Sequence, residues 1–334
     1  MTSTLIPPAA GAPHDDPAAI ERQLRASGGR SDRTFRNLCY LAAAVVLGVL
    51  GLITVTMVGR STDALDWMGL DFITSRRWNP PEQIYGILSF IWGTVYTATI
   101  ALLLAVPISL GIALFITQVA PTWLRRIMVY VIDLLAVIPS VVIGLWGVLV
   151  LAPNILGFYS WLSDTFDGWP ILGSIFGDNP QGRSFFTASI VLAVMITPII
   201  VSLSREVIET TPAFEKEAAL ALGATRWEMI RGAVLPHSKG GLVGAVMLGL
   251  GRAMGETIAV TLTIGSALGQ ITLNALASGN SMPAVITSEW GEADTLKKSA
   301  LIGMAMTLFV ITIVVNTIAT AVVQRSQIRT RGSL

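Results

Sequence analysis

Apolar residues in this chain come in long uninterrupted runs, not in the alternation of strands or the three-in-seven spacing of surface helices. Six runs stand out, at roughly 38–58, 86–117, 127–152, 185–207, 240–266 and 299–323. A bilayer core of about 30 Å takes about 20 residues of helix. Each run therefore predicts a membrane-crossing helix, and the chain an all-α membrane protein of six spans. The second run is longer than a straight crossing needs and is expected to tilt or to bend at Pro107. Pro139 and Pro198 fall within the third and fourth runs and predict kinks there. Ahead of the first run, residues 1–37 are polar and rich in Pro, Ala and Arg, the composition of a disordered tail. That tail is too long and too polar to lead a cleaved secretory signal, so the first run is expected to stay as an anchor.

Composition supports a bilayer as solvent: 53% of the 334 residues are hydrophobic and 13% charged, against about 25% charged in soluble domains. The net charge of +1 offers no basic field for nucleic acid. Cys39 is the only cysteine, which excludes an intrachain disulfide and argues against a Cys-based metal site. His14 and His237, in the tail and in a loop, are a poor basis for histidine chemistry. Orientation follows from the basic residues of the short loops. With the N-terminus inside, fifteen Lys and Arg residues fall in cytoplasmic segments and six in outer ones, so both termini are expected in the cytoplasm. The outer segment 153–184 carries Trp161, Trp169, Asp164, Asp167 and Asp178. It reads either as interfacial anchoring or as a docking surface for an external partner.

The longest cytoplasmic loop, about 208–239, predicts two short helices. Thr211 is placed to cap the first, with Pro212 at its first position. Glu215 and Glu217 then lie near the positive helix end, and Ala218, Ala219 and Ala221 supply helix propensity with little bulk. Gly223 is expected to end that helix, Thr225 and Glu228 to form a capping box for the next, and Pro236 to stop the second before the fifth span. A helix–Gly–helix elbow with an alanine face fits closely against another protein, or it is a plain surface connector. The residues alone leave both open.

The fifth run carries Arg252 and Glu256, each costly at membrane depth. Their i,i+4 spacing predicts a pair on one helix face. Gly251 and Gly255 make a G-x-x-x-G for close helix approach, and Thr257, Thr261 and Thr263 add hydroxyls. The pair is either a self-cancelling packing device or a cationic group on an anion path tuned by a carboxylate. Arginine suits phosphate because its planar fork donates two hydrogen bonds to a tetrahedral oxyanion and stays charged. Asp133, in the third run, is expected near the positive end of its helix.

The segment Glu217-Ala218-Ala219 with Gly223 and Leu235-Pro236 resembles the EAA loop of ABC-importer permeases, in which the loop forms the helix that couples to the ATPase subunit. One departure is Ala233, where a larger aliphatic residue is usual. The string Gly251-Arg252-Ala253-Met254-Gly255-Glu256-Thr257 with Ala259-Val260 resembles the phosphate-specific permeases of the PstC and PstA type. The flanking GLGRAMGETIAV is nearer the PstC type, as are Asp133-Leu134-Leu135-Ala136, Ile138-Pro139-Ser140 and Ser204-Arg205-Glu206-Val207.

That resemblance implies a MetI-like permease core over roughly 84–326, in a type I ABC importer of the cell membrane. It implies a PstA-type permease as heterodimer partner, two copies of a PstB-type ATPase, an extracytoplasmic phosphate-binding protein, and membrane lipid around the chain. The chain has no G-x-x-x-x-G-K-[ST] phosphate cradle, so ATP and Mg are expected on the ATPase and no cofactor here. Arg252, Glu256 and Thr257 are the expected substrate-path residues. Glu217, Ala218, Ala219, Gly223, Leu235 and Pro236 are the expected coupling residues. The alternatives are a permease of this fold for sulfate or molybdate, a secondary transporter with Glu256 or Asp133 as proton relay, and a membrane enzyme. For the last the sequence offers no nucleophile–base set.

Overall fold

The structure, a computed structural model, describes residues 30–177 and 179–331. The predicted tail up to residue 29, and Asp178, lie outside the described residues. The described residues fall into two units, one up to Thr56 and one from Met57 onward. Helix α1 runs over Arg30–Met68, so residues 30–37 are helical and not part of the expected tail. Asp32 sits in its first turn, where the helix dipole favours an acid.

In the second unit a short hairpin pairs Trp78–Asn79 with Ile84–Tyr85. Helix α2, Leu88–Leu114, continues through a wide turn at Phe115–Val119 and runs unbroken past Pro107. Helix α3, Thr122–Val137, and helix α4, Ser140–Trp146, meet at Pro139 with a 92° bend. Ile138 precedes a proline and is pushed out of the helical region, to ψ 126°. The third run is thus a broken pair of helices, not a kinked span. Asp133 stands four residues before the end of α3, away from the positive N-terminus where it was expected. The chain continues through Gly147–Leu151 and Ala152–Asn154 into α5, Leu156–Phe166.

Helix α6, Phe185–Glu209, is continuous through Pro198. Polar side chains serve the backbone around that proline: the Thr197 hydroxyl donates to the Ala193 carbonyl at 2.7 Å and Ser109 to the Thr197 carbonyl at 3.4 Å. Two helices form the elbow, α7 at Ala213–Ala221 and α8 at Arg226–Met229. Helix α9, Leu235–Gly255, is followed by α10, Ile258–Thr263, α11, Met282–Glu289, and α12, Thr295–Arg331. By length and composition, five helices suffice to cross a membrane among the described residues, or six with the bent α3–α4 pair as one span.

The core is built on small residues. Ala98, Ala101 and Ala105, one turn apart on α2, are fully buried against Leu192, Ile196 and Ile200 of α6. Lipid tails are as apolar as any side chain, so helices associate in a bilayer by close packing, and alanine permits the approach. At the end of the bundle away from the elbow, Trp78 donates to Glu289 at 3.0 Å, and Lys297 pairs with the same carboxylate at 3.0 Å. This clip ties the hairpin to the α11–α12 corner. Burial, aided by Asp294 and Glu289, raises the Tyr85 phenol above its ordinary pKa.

Candidate functional site: a helix break and an elbow on one span

The fifth run does not form one helix. α9 ends at Gly255, Glu256 is extended at φ −71° and ψ 128°, and α10 starts at Ile258. The expected span of 240–266 is instead a 30-residue run, Arg226–Gly255, followed by a break. Local chemistry favours the interruption. Gly255 is the weakest helix former in the stretch, Thr257 is β-branched, and the Thr257 hydroxyl donates to the Gly255 carbonyl freed by the break, at 3.2 Å.

Arg252 and Glu256 still meet across the last turn, Nη2 to Oε2 at 3.5 Å. Their positions differ from those of two residues on one helix face. The Glu256 side chain is 7% exposed and Arg252 is 50% exposed. The carboxylate is packed inside and the guanidinium reaches out, with part of its fork free for a second acceptor. Such a group attracts an anion, while an ionised Glu256 accepts hydrogen bonds only from a ligand that still carries a proton. A discontinuous helix in a membrane leaves backbone polar groups that must be buried in protein or line a cavity.

α10 is held by close packing. A side chain at Gly144 of α4 would come within 2.8 Å of the Ala259 backbone, and one at Gly147 within 2.8 Å of Thr263. Thr261 and Thr263 turn their hydroxyls back to carbonyls four residues earlier, at 2.8 and 2.7 Å. The predicted G-x-x-x-G strip does not bring helices of this chain together. Nothing lies within 4 Å of a side chain placed at Gly255, and only the Asn316 amide lies as near as 4.0 Å at Gly251. The close approaches fall instead at Gly241, against Val207, and at Gly249, where a Cβ would stand 2.8 Å from Ile200. The strip meeting α6 is therefore a different face of α9.

Asn316 escaped the sequence reading. It is a lone amide in the last apolar run, its Oδ1 is buried without a hydrogen-bond partner, and its amide nitrogen faces α9 at Gly251. An isolated polar side chain at membrane depth was the available signal.

At the other end of the same run stands the elbow. Thr211 does not cap α7; Pro212 occupies that position without a side-chain bond, and the buried Thr211 hydroxyl meets Ser238 at 3.3 Å. Gly223 ends the elbow's first helix at φ +85°, a conformation that glycine adopts freely, with its N–H donating to Leu220 at 3.0 Å. The Thr225–Glu228 capping box is formed: Glu228 accepts from the Thr225 backbone at 2.7 Å, and Thr225 accepts from the Glu228 N–H at 3.3 Å. Pro236 does not stop the helix. A wide turn over Ile230–Val234 precedes it and relieves the clash of its ring, so α8 passes into α9 and Pro236 lies in the first turn.

Glu217, Ala218 and Gly223 are exposed and Ala219 packs beneath them. Phe214, Leu222 and Trp227 project beside them, 69%, 90% and 62% exposed. Glu215 ties α7 to His237 at 3.6 Å. Leu235 and Pro236 start α9 below the elbow. The structure thus gathers the expected coupling residues at one end of the run and Arg252, Glu256 and Thr257 at the other. The 21 residues of α9 separate them by about 30 Å at 1.5 Å per residue.

Comparisons with known proteins give the family and the fold. The family described as "Binding-protein-dependent transport system inner membrane component" matches residues 105–328. Phosphate transport system permease protein PstC of Xylella fastidiosa is 41% identical over 320 residues, covering 96% of both chains. PstC of Mesorhizobium japonicum is 39% identical over 90% of this chain and 92% of its own. PstC 2 of Mycobacterium tuberculosis is 38% identical over 93% and 97%. The chain belongs to the PstC family of binding-protein-dependent inner membrane components. Membership makes it a multi-pass membrane permease, and its curated PstC relatives are permease subunits of ABC transporters, not enzymes.

The PstC-family assignment agrees with the fold. A bacterial alginate ABC transporter solved with its alginate-bound periplasmic protein superposes with a TM-score of 0.57 at 18% identity, over 86% of this chain and 95% of that one. The inward-facing MetNI methionine ABC transporter gives 0.54 at 14% identity, over 75% and 99%. These likenesses show the fold. For a PstC-family chain the helix break and the elbow are thus the features that remain to be given roles.

Proposed function

We propose that this chain is a permease subunit that moves inorganic phosphate into the cell, driven by ATP hydrolysis on a separate subunit. The observation that carries the reading is the near-full-length identity of about 40% to phosphate transport permeases. Residues 84–326 form the transporting domain, and the first helix crosses the membrane ahead of it. The chain pairs with a PstA-type permease, sits on two PstB-type ATPases that bind ATP and Mg, and receives phosphate from an external binding protein. Both termini are cytoplasmic, which places the elbow on the ATPase side.

In this reading Arg252 draws the anion to the helix break, and its half-exposed fork takes two oxygens of the tetrahedral ion. Glu256 accepts a hydrogen bond from protonated phosphate and repels sulfate, which has no proton to give. Thr257 lies at the break beside them. Closure of the ATPases moves the elbow through Glu217, Ala218, Ala219 and Gly223, and Leu235 and Pro236 pass the motion into α9, whose last turn carries Arg252. Phosphate uptake by whole cells with and without this chain, with sulfate and molybdate as competitors, tests the substrate. Uptake that sulfate competes away would favour the other oxyanion. Co-purification from the native membrane tests the partners, since a complex lacking an ATPase would defeat the mechanism.

A further inference from the structure

A pocket of about 300 Å³ opens at the start of α3, lined by Thr122, Arg125, Arg126, Val129 and Tyr130. Two arginines line it, and one of them has an acid partner. Arg125 donates to Glu209 at 2.6 Å, whereas Arg126 forms no ion pair among the described residues. Of the two arginines that line the pocket, Arg126 is therefore the one without an acid partner among the described residues, with Thr122 and Tyr130 beside it.

The helix that carries the pocket is itself unusual. No residue of α3 is buried. Its exposed apolar side chains, Trp123, Ile127, Tyr130, Val131, Leu134 and Val137, recur three and four residues apart and form one stripe that begins at the pocket. α3 also turns by 92° into α4. Basic residues, aromatics at one end and an aliphatic stripe are the composition of a helix seated at the headgroup level of a bilayer.

We propose that this pocket binds the phosphate of an anionic phospholipid headgroup, with the lipid's acyl chains lying along the α3 stripe. Charge complementarity selects the occupant. A net-negative headgroup neutralises Arg126, whereas a zwitterionic one brings its own cation to a site that already holds a spare positive charge. Free phosphate has the right charge and nothing to cover the stripe. Arg125 adds less than Arg126, because Glu209 already offsets its charge. The site does not depend on what the chain transports: it lies on α3 and shares no residue with the Arg252 break.

Native mass spectrometry of the full chain, released from nanodiscs with equal phosphatidylglycerol and phosphatidylcholine, reads the site directly. The expected result is selective retention of phosphatidylglycerol and about fivefold less of it in Arg126→Gln, the factor that corresponds to about 1 kcal/mol for one basic residue at a membrane surface. A smaller loss is expected in Arg125→Gln and none in Lys239→Gln, an exposed cation outside the pocket. Arg126→Lys, which keeps the charge, retains lipid and guards against a folding defect in the glutamine variant. Equal retention of the two lipids overturns the proposal. So does an equal loss in Lys239→Gln, which would mark general surface attraction, and so does displacement of the lipid by millimolar inorganic phosphate.

Discussion

Removing the cation at the helix break is the perturbation with the most consequence. Arg252→Met leaves the Glu256 carboxylate, 7% exposed, without the guanidinium that stands 3.5 Å away. At an effective dielectric of about 20 the gross attraction at that separation is about 5 kcal/mol. Half of the arginine is exposed, so the net loss is smaller, about 1–3 kcal/mol, between the values for exposed and buried pairs. The single variant should therefore unfold earlier than the parent. Arg252→Met combined with Glu256→Leu should recover most of that stability, because an apolar pair replaces a buried ion pair at little cost. Transport should behave differently. Phosphate uptake and phosphate-stimulated ATPase activity of the assembled transporter, at matched membrane expression, should be lost in both the single and the double variant. Near-normal import by the double variant would make the pair a packing device and end the substrate-path reading.

Further outcomes follow from the same geometry. Arg252→Lys should impair import although it keeps the charge, because the planar fork is lost, while Glu256→Gln should fold and relax discrimination against sulfate; competition assays read both. Gly223→Pro cannot adopt the +85° torsion of the elbow, and it and Glu217→Lys should abolish phosphate-stimulated ATPase activity in the reconstituted complex. Normal stimulation in either would count against coupling through this loop. Gly249→Val should destabilise the chain by about 1–3 kcal/mol through overpacking on Ile200, whereas Gly255→Ala, facing open space within this chain, should not; thermal unfolding of the two compares the faces of α9. With Cys39 replaced, a cysteine introduced at 225 should label from the cytoplasm and one at 167 from outside, and labelling from the opposite sides would reverse the topology.

The sequence made the spans legible because long apolar runs leave a helix no alternative in a bilayer. It was also informative where a local rule acts alone, as at Gly223 and the Thr225–Glu228 box. It failed where two neighbours compete. Pro236 reads as a stop in isolation, yet the wide turn at Ile230–Val234 absorbs it. Pro139 reads as a kink and produces a 92° turn. Glu256 was placed on a helix face by spacing alone. Gly255 and Thr257 break that face, which buries the acid and leaves the arginine outside. The glycine strip at Gly251 and Gly255 is not the face that meets α6, because a spacing rule does not say which side of α9 does so; the partners of Gly241 and Gly249, Val207 and Ile200, lie on a helix about forty residues earlier. Asn316 drew no attention because its meaning depends on lying beside Gly251.

The most direct measurement of the central claim is uptake of labelled phosphate into proteoliposomes that contain this chain with its co-purified permease and ATPase partners and a loaded phosphate-binding protein outside. ATP-driven phosphate import through the Arg252 break predicts uptake that needs ATP in the compartment facing the elbow, that excess sulfate leaves unchanged, and that disappears in Arg252→Met/Glu256→Leu. Uptake that proceeds without ATP, or that follows sulfate in preference to phosphate, would contradict it.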